Sequence, residues 1–129
     1  MKRYKEVFLV HACEQELMRN KRIFEMLDLA ERVHTFSSAE EALYSLLQPG
    51  RVPDMLIAGS AMEDESIAGF MRRYENLPEW VTRQCKVYLL LPPLDELEAW
   101  DYHHRLLQKT LHQPFCAYEL TEENNILIN

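Results

Sequence analysis

The chain has 129 residues, of which 47% are apolar and 27% charged, as expected for one soluble domain spanning residues 1–129. Its net charge of −7 argues against nucleic-acid binding by the whole surface, because phosphate contacts need a basic face. No apolar run approaches the roughly 20 residues that a membrane span needs. The run from Val7 to Val10 is also too short for a signal peptide, so we expect a cytoplasmic protein.

The first predicted elements are a strand and a helix. Glu6 to Val10 is a short apolar run that indicates a strand buried on both faces. From Glu14 onward the apolar residues recur every three or four positions, at Leu17, Ile23 (or Phe24) and Leu27. This spacing predicts an amphipathic helix.

A second strand and helix follow. Arg32 to Phe36 alternates in character and predicts a weaker strand. Ser38, with Glu41 three residues later, is typical of the capping box that begins a helix. We expect this helix to stop before Pro49-Gly50, where proline and glycine interrupt the pattern.

The middle of the chain predicts a central strand, a polar loop and a third helix. Met55 to Ala58 is the apolar strand, and Gly59 to Ser66 is the loop. The third helix is marked by apolar residues at helical spacing, namely Ile67, Phe70, Met71 and Tyr74.

The remaining segments differ in how clearly they predict secondary structure. Glu79 to Gln84 is predicted to be a connection, and Lys86 to Leu91 is the strongest strand pattern in the chain. A fourth helix is predicted around Leu97, Trp100 and His104. Thr110 to His112 is a poor candidate for a fifth strand, and Thr121 to Glu123 predicts the start of a short last helix.

Alternating strands and helices indicate right-handed crossovers and a parallel sheet covered on both faces. Five strands in a chain of this length fit the α/β flavodoxin-like, doubly wound fold with strand order 2-1-3-4-5. In such folds, sites form beside the carboxyl ends of the strands.

Several segments carry a resemblance to a known family. They are Val7 to Val10, Val33 to Leu43, Pro53 to Ile57, Lys86 to Leu89 and Gln113 to Phe115. Their order and spacing resemble the receiver domains of two-component response regulators, and the segment from Val33 is similar to stand-alone receivers of Bacteroidetes-type bacteria. The resemblance covers almost the whole chain.

The resemblance also implies where the phosphorylation chemistry of receivers would stand. The acidic pair that holds Mg²⁺ falls on His11-Ala12, and the aspartate that accepts the phosphoryl group falls on Gly59. The Ser/Thr after the fourth strand falls on Leu91, and the conserved lysine of the family falls on Gln113. None of these replacements keeps the chemical role, so the resemblance implies a degenerate receiver without Mg²⁺ or any other cofactor.

Two alternatives reuse the same region. His11, Cys13 and Glu14 include imidazole, thiol and carboxylate groups that suit a transition metal, and Ser60 near His11 suggests a small hydrolase or ligand-binding site. A third possibility is a receiver phosphorylated at a displaced acid such as Asp64. The more ordinary interpretations are a hydrogen-bonded loop and solvated loop charges.

The resemblance points to a non-enzymatic protein-interaction module of two-component or phosphorelay signalling. Its partners by family analogy are a histidine kinase, a phosphotransfer protein or another receiver. Trp100 and Tyr102 lie on the predicted helix that receivers use for docking, so they are the candidate partner surface, although core packing of Trp100 is the competing interpretation.

Overall fold

A computed structural model of the chain describes residues 4–48, 50, 52–59, 62–91 and 104–112. Its strands are β1 (Tyr4–Val10), β2 (Ala30–Phe36), β3 (Met55–Gly59), β4 (Lys86–Leu91) and β5 (Leu107–His112). They form one parallel sheet in the order β2-β1-β3-β4-β5, which confirms the predicted flavodoxin-like topology.

Four helices lie in the described part of the chain. They are α1 (Glu14–Met26), α2 (Ala39–Leu46), α3 (Ile67–Glu75) and α4 (Glu79–Gln84). None of the helices in these residues is both long enough and apolar enough to cross a membrane.

Side chains alternate between the two faces of the sheet and build two separate apolar cores. On β1, Phe8 and Val10 join the core beneath α2 and α3, whereas Val7 and Leu9 join the core beneath α1. The residues of β3 are all buried, because a central parallel strand is covered on both sides. The apolar runs of the sequence therefore mark the strands that hold the two cores together.

The apolar face of α1 differs from its predicted composition. Leu17 and Phe24 are buried as expected, and Phe24 rather than Ile23 is the fully buried member of that pair. Leu27 is 56% exposed, so its assignment to the apolar face is wrong. The helix ends at Met26, and Asp28 takes a positive φ of 53° that turns the chain toward β2.

The start of α2 confirms the predicted hydroxyl cap at Ser38, and Glu41 contacts the cap through that hydroxyl rather than through the Ser38 backbone N–H. The Ser38 hydroxyl oxygen accepts a hydrogen bond from the Glu41 backbone N–H at 3.2 Å. The same hydroxyl lies 3.1 Å from a carboxylate oxygen of Glu41, to which it donates. These bonds satisfy one of the amides that a helix leaves unpaired at its amino end.

The third helix agrees with its predicted pattern, and the connection after it does not. The residues Ile67, Phe70, Met71 and Tyr74 are all buried. Glu79 to Gln84, predicted to be a connection, is the short helix α4. Its turns are supported by the buried Val81 and by a 2.9 Å ion pair between Glu79 and Arg83, which are four residues apart.

The strand β5 is longer than the sequence suggested, because it begins at Leu107 and pairs with β4 along its length. Its Leu111 is fully buried, which ties it to the core beneath α1. His104, predicted to lie in the fourth helix, is not helical. The rest of that helix, with Leu97, and the last helix at Thr121 to Glu123 lie outside the described residues.

Candidate functional site

The carboxyl ends of β1, β3 and β4 lie side by side at one edge of the sheet. Val10 pairs with Ala58, and Gly59 pairs with Leu90 of β4. Because the strands are parallel, the residues that follow them face a common crevice. His11 follows β1 directly, so the topology brings it next to the last residue of β3.

His11 is connected to two neighbouring segments by hydrogen bonds. Its backbone N–H donates to the Phe36 carbonyl at the end of β2, at 3.0 Å. Its ring nitrogen Nδ1 accepts a hydrogen bond from the Cys13 backbone N–H at 2.9 Å. The residue is only 9% exposed, and burial lowers the pKa of His11 from its ordinary value. A neutral ring whose Nδ1 is an acceptor carries its proton on Nε2.

The His11 ring also fills the space above Gly59. A Cβ atom built on Gly59 would overlap Cδ2 of the ring and would lie 2.9 Å from Cγ and 3.0 Å from Nε2. No side chain fits at position 59 while the ring stays there. This is the position where the family resemblance implies the phosphoryl-accepting aspartate.

The described residues of this crevice do not fit a magnesium ion. Mg²⁺ prefers carboxylate oxygens in octahedral geometry. Here the two positions after β1 supply an imidazole and the methyl group of Ala12, and Gly59 supplies no side chain. Leu91, at the end of β4, is buried and offers only a hydrocarbon surface.

The alternative transition-metal site gains no support from the geometry. Cys13 is exposed and is the residue before α1, and its side chain makes no capping hydrogen bond. Within the described ranges, no three His, Cys, Asp or Glu side chains are grouped so that they could hold a metal ion. Ser60, the other member of the alternative, lies outside those ranges.

Asp64 is engaged at the start of α2. Its two carboxylate oxygens accept hydrogen bonds from the backbone N–H groups of Ala39, at 2.8 Å, and Glu40, at 3.1 Å. The hydrogen bond from Ala39 is the main cause that lowers the pKa of Asp64. The carboxylate is therefore an anionic helix cap, because helix amino ends attract negative charge.

The remaining predicted site residues are divided between described and undescribed parts of the chain. Thr110, in the segment that the sequence marked as a poor candidate for the fifth strand, is exposed and pairs with Leu89. Gln113 lies outside the described residues, as do Trp100 and Tyr102 of the predicted partner surface.

The main feature that sequence reasoning missed is the contact between His11 and Gly59. The two residues are 48 positions apart, and only the pairing of β1 with β3 makes them neighbours. One signal was available: the resemblance places a large ring at position 11 and a missing side chain at position 59, where receivers have acidic groups. The His11 ring occupies the space that a side chain at position 59 would otherwise fill.

No protein-family model matches this sequence. The search of curated proteins also gives no match. The fold, by contrast, is shared with many solved structures.

Three of those structures cover almost the whole chain. A two-component response regulator from Cytophaga hutchinsonii is 19% identical, with a TM-score of 0.79 over 99% of this chain and 100% of that one. A response regulator receiver protein from Dyadobacter fermentans is 19% identical, with a TM-score of 0.76 over 96% and 98%. A CheY-like receiver domain from Methylobacillus flagellatus is 16% identical, with a TM-score of 0.74 over 95% and 98%.

Proposed function

We propose that this chain, which has the fold of the response-regulator receiver domain, is a degenerate receiver that binds a protein partner independently of phosphorylation. The observation that carries the proposal is the His11 ring above Gly59. The nucleophile of the family is missing, and its space is taken by another side chain of the same molecule.

Loss of the nucleophile is accompanied by loss of the groups that would assist it. Phosphoryl transfer to a carboxylate depends on positioning and on neutralising the charge that develops, which is the work of a metal ion and cationic side chains. The crevice described here lacks metal-binding carboxylates, and the sequence has Gln113 at the position of the family's lysine. We therefore infer a non-enzymatic protein that needs no Mg²⁺.

Absence of a phosphoryl group has a consequence for conformation. A ligand shifts a protein between two states only if it binds one of them better. In a receiver that cannot carry a phosphoryl group, phosphorylation cannot shift the protein from one state to the other. We therefore expect one constitutive conformation. A partner would then bind whenever both proteins are present.

The partner that fits this function is a protein of two-component or phosphorelay signalling. By analogy with receivers we propose a histidine kinase, a phosphotransfer protein or another receiver, met in the cytoplasm. The net charge of −7 favours a protein over a nucleic acid, because binding to phosphates along a strand needs basic residues.

The displaced-acid alternative is disfavoured by the engagement of Asp64. Both carboxylate oxygens accept hydrogen bonds from the first amides of α2. These bonds lower the nucleophilicity of both oxygens and hold the carboxylate at the amino end of α2.

The proposal is tested with the purified chain, acetyl phosphate and Mg²⁺. We expect intact-mass spectrometry to show no added phosphoryl group, and amide NMR spectra to be unchanged by Mg²⁺ with beryllofluoride. The matched variant is Asp64→Asn: phosphorylation of the wild type that disappears in this variant would establish the displaced-acid alternative and overturn the proposal.

Partner binding needs a separate measurement. Purified histidine-kinase dimerisation domains, phosphotransfer proteins and receivers from the same organism would be titrated against the chain by calorimetry. We expect one of them to bind with the same dissociation constant with and without acetyl phosphate and Mg²⁺. No binding to any of them, or binding only with the phosphoryl donor, would contradict the proposed function.

A further inference from the structure

We infer that His11 is a positioning residue, whose imidazole holds the loop between β1 and α1 against the end of β3 in one fixed arrangement. The inference rests on the proposed function, because it explains how the crevice keeps one conformation without a phosphoryl group or a metal ion. It assigns to His11 a role that the loss of an acidic residue alone does not imply.

Three segments of the chain meet at His11. The His11 backbone donates to the end of β2 at Phe36, and the ring accepts from the start of α1 through the Cys13 N–H. The ring also lies against the end of β3 at Gly59. Through its buried side chain and its backbone, His11 therefore contacts the end of β2, the start of α1 and the end of β3.

The backbone conformation of Gly59 does not require glycine. Its φ lies outside the positive range that favours glycine, unlike that of Gly50, at +74°. Any residue could adopt the backbone conformation of Gly59. What excludes other residues is the His11 ring, so the lack of a side chain at position 59 makes room for the imidazole.

The His11 ring combines a hydrogen-bond acceptor with the volume of an aromatic ring. The hydrogen bond from Cys13 requires a lone pair on Nδ1, which is present only in the neutral ring with its proton on Nε2. A phenyl ring could fill the same space but could not accept this bond. An asparagine amide could accept it but would not fill the space. His11 therefore accepts a hydrogen bond and fills the space above Gly59, and the two functions can be separated by mutation.

The first measurement uses the wild-type protein, so it does not depend on the folding of a variant. Two-bond ¹H–¹⁵N NMR spectra at neutral pH distinguish a protonated ring nitrogen from an unprotonated one. We expect Nδ1 of His11 to be unprotonated and Nε2 protonated. A proton on Nδ1 would overturn the inference, because the bond from Cys13 would then be impossible.

The second measurement compares the amide hydrogen exchange of Cys13 in two variants. His11→Phe should speed the exchange of this amide about tenfold, the effect expected when one hydrogen bond is lost, whereas His11→Asn should leave it within about threefold of the wild type. The matched controls are His34→Phe and His34→Asn, on an exposed histidine of β2, which should leave the Cys13 amide unchanged.

The variants also separate this inference from the proposed function. Equal exchange of the Cys13 amide in the wild type and in His11→Phe would overturn the positioning role of His11. That result would leave the phosphorylation test unaffected, since Gly59 has no carboxylate whether or not His11 holds the loop in place. Incorporation of a phosphoryl group would instead overturn the proposed function while the tautomer of His11 stayed as inferred.

Discussion

The imidazole of His11 occupies the space that a side chain at Gly59 would need, so position 59 cannot gain a Cβ atom unless the ring moves or is replaced. We expect Gly59→Ala to destabilise the protein by about 1–3 kcal/mol, because an added methyl group overlaps the ring. In a His11→Ala background the same substitution should cost at least about 1 kcal/mol less. Urea denaturation of the four proteins measures this difference.

The four unfolding free energies could also show that the two substitutions act independently. If the two substitutions add to within about 0.5 kcal/mol, the side chains do not compete for the same space. The same reasoning predicts that Gly59→Asp alone does not restore phosphorylation by acetyl phosphate and Mg²⁺. The new carboxylate would meet the ring, and the metal-binding acids would still be absent.

Stability should depend on pH through His11. Burial lowers the pKa of His11 in the folded protein from the ordinary value of 6.5, which applies to the unfolded chain. Below pH 6.5 the unfolded chain takes up a proton that the folded protein resists, so the free energy of unfolding falls. The loss should continue until the pH reaches the lowered pKa, with a slope of at most about 1.4 kcal/mol per pH unit.

Urea denaturation at a series of pH values below neutrality measures this slope. The matched protein is His11→Asn, which has no titrating group at position 11. The difference in unfolding free energy between wild type and variant should be constant above pH 6.5 and should change below it. A difference that stays constant down to pH 5 would mean that the ring titrates alike in both states.

The link between Asp64 and α2 predicts a local effect on that helix. Asp64→Ala removes the acceptor for the amides of Ala39 and Glu40, and we expect a loss of about 0.5–2 kcal/mol. Amide exchange at these two residues should become faster. Glu63→Ala is the control: Glu63 is also exposed, and its backbone N–H, which the substitution retains, donates to the Ser37 carbonyl.

This interaction has its own pH dependence. Hydrogen bonding holds the pKa of Asp64 below its ordinary value of 3.8. The stabilisation is therefore fully present well above that value and disappears as the pH falls through the lowered pKa of the folded protein. A carboxyl ¹³C titration that gives Asp64 an ordinary pKa would show that the two amides are not bonded to it in solution.

The sequence was sufficient wherever a local pattern decides the structure. The run from Lys86 to Leu91 gives β4 its observed bounds, because a central parallel strand is apolar throughout. Ser38 with Glu41 correctly predicts the start of α2, because capping involves residues only three apart.

Local sequence patterns gave wrong or weak predictions where tertiary packing determines the structure. The short helix α4 has too few turns to show an apolar period, and only the burial of Val81 reveals its inner face. The strand β5 is not an evident apolar run, since its sequence includes polar residues such as Thr110, and its pairing with β4 defines it. In the crevice, the sequence predicts the loss of the acids, but the contact between His11 and Gly59 depends on neighbouring strands.

Tyr74 provides a test of the packing between α3 and β4. It is 1% exposed, and its hydroxyl donates a 2.5 Å hydrogen bond to the Cys85 carbonyl at the start of β4. Tyr74→Phe removes the donor and leaves a buried carbonyl without it, so we expect a loss of about 1–3 kcal/mol in unfolding free energy. Tyr44→Phe is the matched control, because Tyr44 is 69% exposed and should change stability by less than about 0.5 kcal/mol.

The thiol of Cys85 reports on the same contact. It is 1% exposed, and burial raises the pKa of Cys85 to about 12, so it should resist alkylation in the folded protein, whereas the exposed Cys13 should react. Peptide mapping after iodoacetamide treatment distinguishes the two sites. Tyr74→Phe should increase the alkylation rate of Cys85, because opening of the α3–β4 contact becomes more frequent. Equal rates in wild type and variant would show that the hydroxyl does not hold this contact closed.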